Sequence, residues 1–373
     1  MKIHQLKKLF VIALLSVWST LSFSQVTFYS DEEGWDANIS GSFPVFLVFS
    51  DTKDGEQASR IMSGFNPANM TLKVTAPEEE GLVVSGTLQI NNHLQGSQVQ
   101  NSGLFESRIA DVQVDGDFGR LNIGKGFGIF NSSAIGDLGS ALGVGVLGGG
   151  ADTGNATGGH IGTGYVYANF NPRIIYSNTV MGSLDYKLGI FNPEEPTDAA
   201  GAVETAVPRV EGQVNYRVKG IEVWTGFMWQ PVKLEVEDVD YVLQGVDVGA
   251  RYEAGGARIT AAYTVTEGIG ADGLYGYGGI NDAKVDGSQW YVEGAFTKNK
   301  TTYGTSYGVG DQDAHTAPFI VPEIENTLLM VFVHHKMTSH LTLMIELQDF
   351  SSETSSVTTN EYQAMSFGSQ FDF

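Results

Sequence analysis

Asp152-Thr-Gly154 spells the triplet that carries an aspartic-protease carboxylate. That chemistry needs two carboxylates sharing one proton. The chain has no second copy of the triplet, so chance is the better account. Gly124-Lys-Gly-Phe-Gly128 has the glycine density of a phosphate cradle. No helical pattern follows it, and a dinucleotide site requires one. His334 and His335 are neighbours in a strand-like stretch, so they face opposite ways and cannot ligate one metal together. Glu194-Glu195 and Asp311-Gln-Asp313 have the charge to hold divalent ions, but solvated loop charge explains them equally well. The polar residues that do form a pattern are strictly alternating ones. Arg209, Glu211, Gln213, Asn215 and Arg217 share one parity, and Val210, Gly212, Val214, Tyr216 and Val218 share the other.

Alternation at that period is a strand signal, because successive side chains point to opposite faces. It recurs along the chain. Ala257 to Thr266 sets Ile259, Ala261, Tyr263 and Val265 against Arg258, Thr260, Thr264 and Thr266. Met70, Leu72, Val74 and Ala76 oppose Thr71, Lys73 and Thr75; Leu82, Val84, Leu88 and Ile90 oppose Ser85, Thr87, Gln89 and Asn91. Glu346 and Gln348 share the inward parity of Leu341–Gln348, and Trp224 has inward parity too, as a sugar-stacking or a packing residue. The carboxy-terminal segment places Met365, Phe367, Phe371 and Phe373 on one face and Ser366, Gly368, Gln370 and Asp372 on the other. Such an edge would aggregate in water. It suits a barrel with lipid outside and water inside.

About sixteen segments of this kind are separated by Gly, Asp and Asn turns, an even number as antiparallel closure requires. Short connections such as Lys219-Gly220 alternate with long, Gly-rich acidic ones such as Asn192–Val207 and Gly268–Ser288. A barrel of that size encloses more volume than side chains fill, so its interior is expected to be wet. No helical periodicity of useful length follows Ser24. The expected fold is all-β: a transmembrane antiparallel barrel with short turns on one rim and long loops on the other. Residues 129–164 break the rhythm. They are Gly-rich, with Asp137 and Asp152 as the acids. They read as a loop folded into the lumen to narrow the pore, with an ordinary outer loop as the alternative.

Residues 1–24 combine a basic start (Lys2, Lys7, Lys8), an apolar centre and small residues at Ser22 and Ser24. This is the pattern of a secretory signal peptide, and the apolar run is short for a membrane anchor. Its loss takes the net charge from -22 to -25, leaving the barrel at residues 25–373. A chain so acidic is a poor nucleic-acid binder. The charge serves solubility, or it sets up a field that favours cations at a pore mouth. The absence of Cys excludes disulfides and thiolate metal sites. Trp35, Tyr252, Trp290 and Phe371 lie near strand ends, where interfacial girdles form.

With these residues in view, the chain resembles the general porins of Gram-negative bacteria. Val26-Thr-Phe-Tyr29 resembles their opening segment. Gly116-Asp-Phe-Gly-Arg-Leu-Asn-Ile-Gly-Lys-Gly-Phe-Gly128 is similar to the strand pair before their inward-folded third loop, and Arg173–Asn178 through Tyr186–Gly189 to the pair after it. The resemblance implies a homotrimer of sixteen-stranded outer-membrane channels. Small hydrophilic solutes and ions would diffuse passively, with a mild cation preference. Contacts to lipid and lipopolysaccharide follow, as does recognition of Phe373 by barrel-assembly machinery. No cofactor, metal or chemical step is implied. Acids on the third loop, here Asp137 and Asp152, would face wall cations at Lys73, Arg120, Lys125 and Arg173. Each cation also fits a salt bridge holding the loop down, and unbroken alternation from Arg120 would send Lys125 outward. Two alternatives remain: an oligosaccharide-selective channel, which needs a lumenal aromatic track, and an outer-membrane hydrolase, which needs a Ser-His pair at the rim.

Overall fold

The structure is a computed structural model and describes residues 25–52, 57–63, 67–92, 106–139, 159–178, 183–193, 203–204, 207–234, 239–269, 285–315 and 322–373. The expected signal peptide (residues 1–24) and Asp152 lie outside them. In chain order the strands are β1 (Val26–Ser30), β2 (Asp36–Thr52), β3 (Gln57–Met62), β4 (Ala68–Thr75), β5 (Val83–Asn92), β6 (Glu106–Gly116) and β7 (Gly119–Phe127). Then come β8 (Phe170–Ser177), β9 (Leu184–Phe191), β10 (Val203–Glu204), β11 (Arg209–Val218), β12 (Ile221–Leu234) and β13 (Val239–Ala254). The last are β14 (Ala257–Glu267), β15 (Asp286–Lys298), β16 (Thr301–Gln312), β17 (Ile324–Lys336), β18 (Leu341–Thr354) and β19 (Val357–Asp372).

Every pairing between strands is antiparallel, and the ring closes where β19 meets β2, with Phe371 opposite Phe43. Sixteen strands make the closed wall. Three short pieces supplement it. β1 continues the line of β19 along the foot of β2, β3 shares the upper part of β2 next to β4, and β10 sits beside β12. The terminal residue is held by backbone bonds in both directions with Gly41, and its ring stacks on Phe43.

Local chemistry explains the hairpins. At Lys219-Gly220 and Gly255-Gly256 both central residues have positive φ. That is the two-residue turn whose twist matches the flanking strands. Side-chain alternation then sorts the faces. Val214, Tyr216, Ile259, Tyr263, Met365, Phe367 and Phe371 are exposed on the outer surface, while Glu211, Gln213, Asn215, Thr260, Thr264 and Ser366 are buried within. This matches a lipid-facing exterior.

Three expectations are corrected. The break expected over residues 129–164 runs on to Asn169 and the next strand starts at Phe170, because Tyr165–Ala168 is buried in the lumen instead of the wall. The rim of long loops also carries a short link, Ser355-Ser356 between β18 and β19. Nor is the bore wet throughout. Phe46, Val48, Leu328, Met330, Phe350 and Tyr362 have inward parity and form a buried apolar cluster with Ala134, Ile161 and Tyr165. The loop brings enough apolar surface inside to exclude water from that sector.

Candidate pore constriction

The connection from β7 to β8 enters the barrel as an outgoing arm (128–139) and a returning arm (159–169), sealed at the base by Gly128 N–H donating to Asn169 O at 2.9 Å. Backbone buried without regular structure must find partners, and the inner wall supplies them. The backbone N–H groups of Ile129 and Phe130 donate to Glu211 Oε2 at 2.7 and 2.9 Å. Leu138 N–H donates to Glu293 Oε2 at 2.8 Å, and Asn131 N–H reaches Asp247 Oδ1 at 3.4 Å. Carbonyls are met by the opposite charge. Arg251 Nη2 donates to Ser133 O at 3.1 Å, Arg258 Nη2 donates to Gly136 O, and Tyr291 OH donates to Ala134 O at 2.7 Å. Bonds between an ion and a backbone dipole are stronger than neutral ones. The loop is therefore bound along the inner faces of β11, β13, β14 and β15.

A second set of contacts clips the arms together. Asp137, only 6% exposed, accepts Tyr165 OH at 2.6 Å and His160 N–H at 3.1 Å. The His160 ring stacks on Tyr291 with centroids 4.9 Å apart, and its Nε2 lies 2.8 Å from Ser306 Oγ. Burial pushes the imidazole pKa down to about 4, so the ring is neutral at pH 7. Gly308 and Gly310 on β16 leave room for the returning backbone; a Cβ at either would collide with the carbonyl of Thr163 or Gly162.

The opposite wall is different. Most inward residues of β4 to β8, among them Thr71, Lys73, Gln89, Gln113, Arg120 and Asn122, stay half-buried, with Ser85, Asn91, Arg108 and Ile175 buried, whereas the inward positions of β11 to β19 are mostly buried. Arg120 Nε pairs with Asp115 at 2.6 Å, their side chains 30% and 26% exposed. Arg173 pairs with Asp111 at 3.0 Å and is more enclosed, at 9% and 8%.

The expected site residues thus separate. Lys73, Arg120 and Arg173 share the open inner wall. Asp137 is inside but turned toward Tyr165 and His160 and away from those cations. Lys125 follows the unbroken alternation of β7: it sits between Ala110 and Pro172 on the outer face, its Nζ donating to Ser107 O at 3.0 Å. Lys125→Gln is accordingly expected to leave the reversal potential in a planar bilayer unchanged; a shift would return this residue to the bore. Trp224 has its expected inward direction, but at 2% exposure and with the Arg251 guanidinium 5.5 Å over its ring it offers no free stacking face. Sequence reading missed the anchors Glu211, Asp247, Glu293, Arg251 and His160 as a set. Seven of the eight arginines of the chain have inward parity, and Arg108 turns inward at the register shift between β5 and β6. Charged residues on otherwise lipid-facing strands were the available signal.

A closed barrel with an apolar outside, a polar open wall within and a loop bound across its interior defines an outer-membrane channel. The chain belongs to the Gram-negative porin family, whose model matches residues 12–355. Membership makes it a non-enzymatic diffusion channel. Among solved structures it is similar to the outer-membrane channel DcaP of Acinetobacter baumannii (13% identity, TM-score 0.71, covering 93% of this chain and 100% of that one). It is also similar to the OmpF–daunomycin complex of Salmonella typhi (14%, 0.66, 93% and 100%) and to an anion-selective porin from Comamonas acidovorans (14%, 0.65, 91% and 100%). Likeness at these identities speaks to the fold alone. No functionally curated protein matches the sequence significantly.

Proposed function

We propose that this porin passes ions and small hydrophilic solutes passively, with a mild preference for cations. The observation that carries the reading is the division of the interior. The loop covers the inner faces of β11 to β16, and the half-buried polar side chains of β4 to β8 line what remains. Residues 129–164 act as the constricting loop, and Lys73, Arg120 and Arg173 as the wall it faces. Most inner-wall cations have a carboxylate partner, including Arg120, Arg173, Arg217, Arg251 and Arg258. The net charge, -25 once residues 1–24 are removed, therefore acts mainly at the mouths, where it concentrates cations.

Further parts of the proposal follow from family membership and the sequence: export by residues 1–24, assembly as a homotrimer in contact with lipid and lipopolysaccharide, and Phe373 as the mark read by assembly machinery. An oligosaccharide-selective channel is disfavoured by the covered face of Trp224. Purified protein in a planar bilayer should conduct, with a weakly cation-selective reversal potential in a KCl gradient. Selectivity should decline from 0.1 M to 1 M salt as the Debye length falls from about 10 Å to about 3 Å. Absence of conductance would refute the channel reading, and strong anion selectivity would refute the cation preference.

A further inference from the structure

The run Gly124-Lys-Gly-Phe-Gly128 spans the end of β7 and the root of the loop, and its three glycines serve different ends. Gly124 has φ +142°, and a Cβ there would strike the Ala110 carbonyl. A Cβ at Gly128 would strike the carbonyl of Ala168. Both are held to glycine by neighbouring backbone. Gly126 is not. The three atoms nearest to a Cβ at Gly126 all belong to the Arg173 guanidinium, with Cζ at 2.5 Å and Nη1 at 2.6 Å. Non-bonded heavy atoms pack best about 3.5–4.0 Å apart, so a side chain here and the guanidinium cannot share the space. The register shows why Arg173 lies there. Asp111 on β6 is opposite Gly124 on β7, and Gly124 is opposite Arg173 on β8. Adjacent strands are about 4.8 Å apart, so Arg173 must cross the whole of β7 to reach Asp111. It crosses over glycine. Nη1 donates to Asp111 Oδ1 at 3.0 Å and to Gly124 O at 3.4 Å. Asn122 Nδ2 donates to the second carboxylate oxygen at 2.6 Å. The resulting pair lies flat on the wall, far less exposed than Arg120 and Asp115.

We propose that Gly126 is a selectivity-determining position: its missing side chain is the seat in which Arg173 lies, with its charge turned to Asp111 and away from permeating ions. This rests on the reading of the β4–β8 wall as the open path. Any side chain at position 126 displaces the guanidinium. The guanidinium is the free end of a long side chain with other rotamers to adopt, so it moves before the strand does. The sheet itself blocks the outward direction, and the lumen is the direction left. A displaced Arg173 loses Asp111 and presents an uncompensated positive charge to the bore. With glycine in place, the wall stays close to neutral and the acidic mouths set the preference.

The test compares full-length proteins in planar bilayers under a KCl gradient. Gly126→Ala should lower the potassium-to-chloride permeability ratio about two- to fourfold, the effect of one unpaired charge about 5–10 Å from an ion in water. In an Arg173→Gln background the same Gly126→Ala change should leave the ratio where Arg173→Gln alone puts it. A ratio that Gly126→Ala does not move overturns the proposal and leaves the channel reading intact. So does a shift that persists without Arg173. A second measurement depends neither on conductance nor on the folding of the variant. A water-soluble dicarbonyl reagent specific for arginine, followed by peptide mass mapping, should modify Arg120 of the parent protein and leave Arg173 protected. In Gly126→Ala that protection should be lost. Modification of Arg173 as fast as Arg120 in the parent protein overturns the seat. If no protein conducts, the channel reading fails and the selectivity role with it.

Discussion

Glu211→Ala is expected to free the outgoing arm of the loop and to destabilise the barrel by about 3–5 kcal/mol. The side chain is fully buried and holds three donors: Ile129 N–H and Phe130 N–H at Oε2, and Arg209 Nε at Oε1, 2.8 Å away. Truncation leaves two backbone N–H groups without their acceptor. It also removes a carboxylate from beside a guanidinium that packs 5.1 Å over the Phe191 ring in the same dry layer. Removing one member of a buried pair costs more than the pair contributes, because the remaining charge stays desolvated. Glu211→Gln keeps the shape and one acceptor oxygen but exchanges the other for a donor facing an existing donor, so an intermediate loss is expected. The midpoint of the heat-induced mobility shift in detergent measures the stability, and single-channel conductance measures the loop. Conductance should rise in Glu211→Ala as the loop leaves the wall. If both quantities match the unmodified protein, Glu211 does not hold the loop.

Much of the wall was legible in the sequence because a barrel strand encodes its faces in single-residue alternation. The segments Leu184–Phe191 and Arg209–Val218 can be read with their ends, since both faces are unambiguous and Gly or Pro punctuates them. Tyr165–Ala168 misleads for a physical reason. Its aromatic and β-branched residues have strand propensity, but Tyr165 spends its hydroxyl on Asp137 and its ring on an edge contact with Tyr291, 5.7 Å away, inside the lumen. Alternation says which residues point inward and nothing about which are then covered. Lys73 and Glu293 look equivalent in sequence, yet one lines the open wall and the other is sealed under Leu138 and Gly139. That difference depends on where the loop lies, and glycine-rich backbone carries little pattern of its own.

Asp137 shows how burial reverses a functional expectation. As a loop acid facing wall cations it would set selectivity, and its neutralisation would move the reversal potential. Bonded as it is to Tyr165 OH and His160 N–H, it instead joins the arms of the loop. Asp137→Ala is therefore expected to leave the reversal potential nearly unchanged while raising the conductance, its fluctuation and the size of the largest sugar admitted in liposome swelling. Each hydrogen bond to the carboxylate contributes about 1.5–3 kcal/mol, so separation of the arms should lower the thermal midpoint too. Tyr165→Phe removes one of those bonds without touching charge and should reproduce part of the effect. Since the two groups act on each other, Asp137→Ala with Tyr165→Phe should cost clearly less than the sum of the single changes, a coupling of about 1–2 kcal/mol. Additive losses would mean the 2.6 Å contact does not operate in the membrane. A large shift in reversal potential with normal sugar exclusion would return Asp137 to the role of a pore-facing charge. Between these results the clip and the charge filter are distinguishable, because only the clip links permeability to the hydroxyl of a residue that carries no charge.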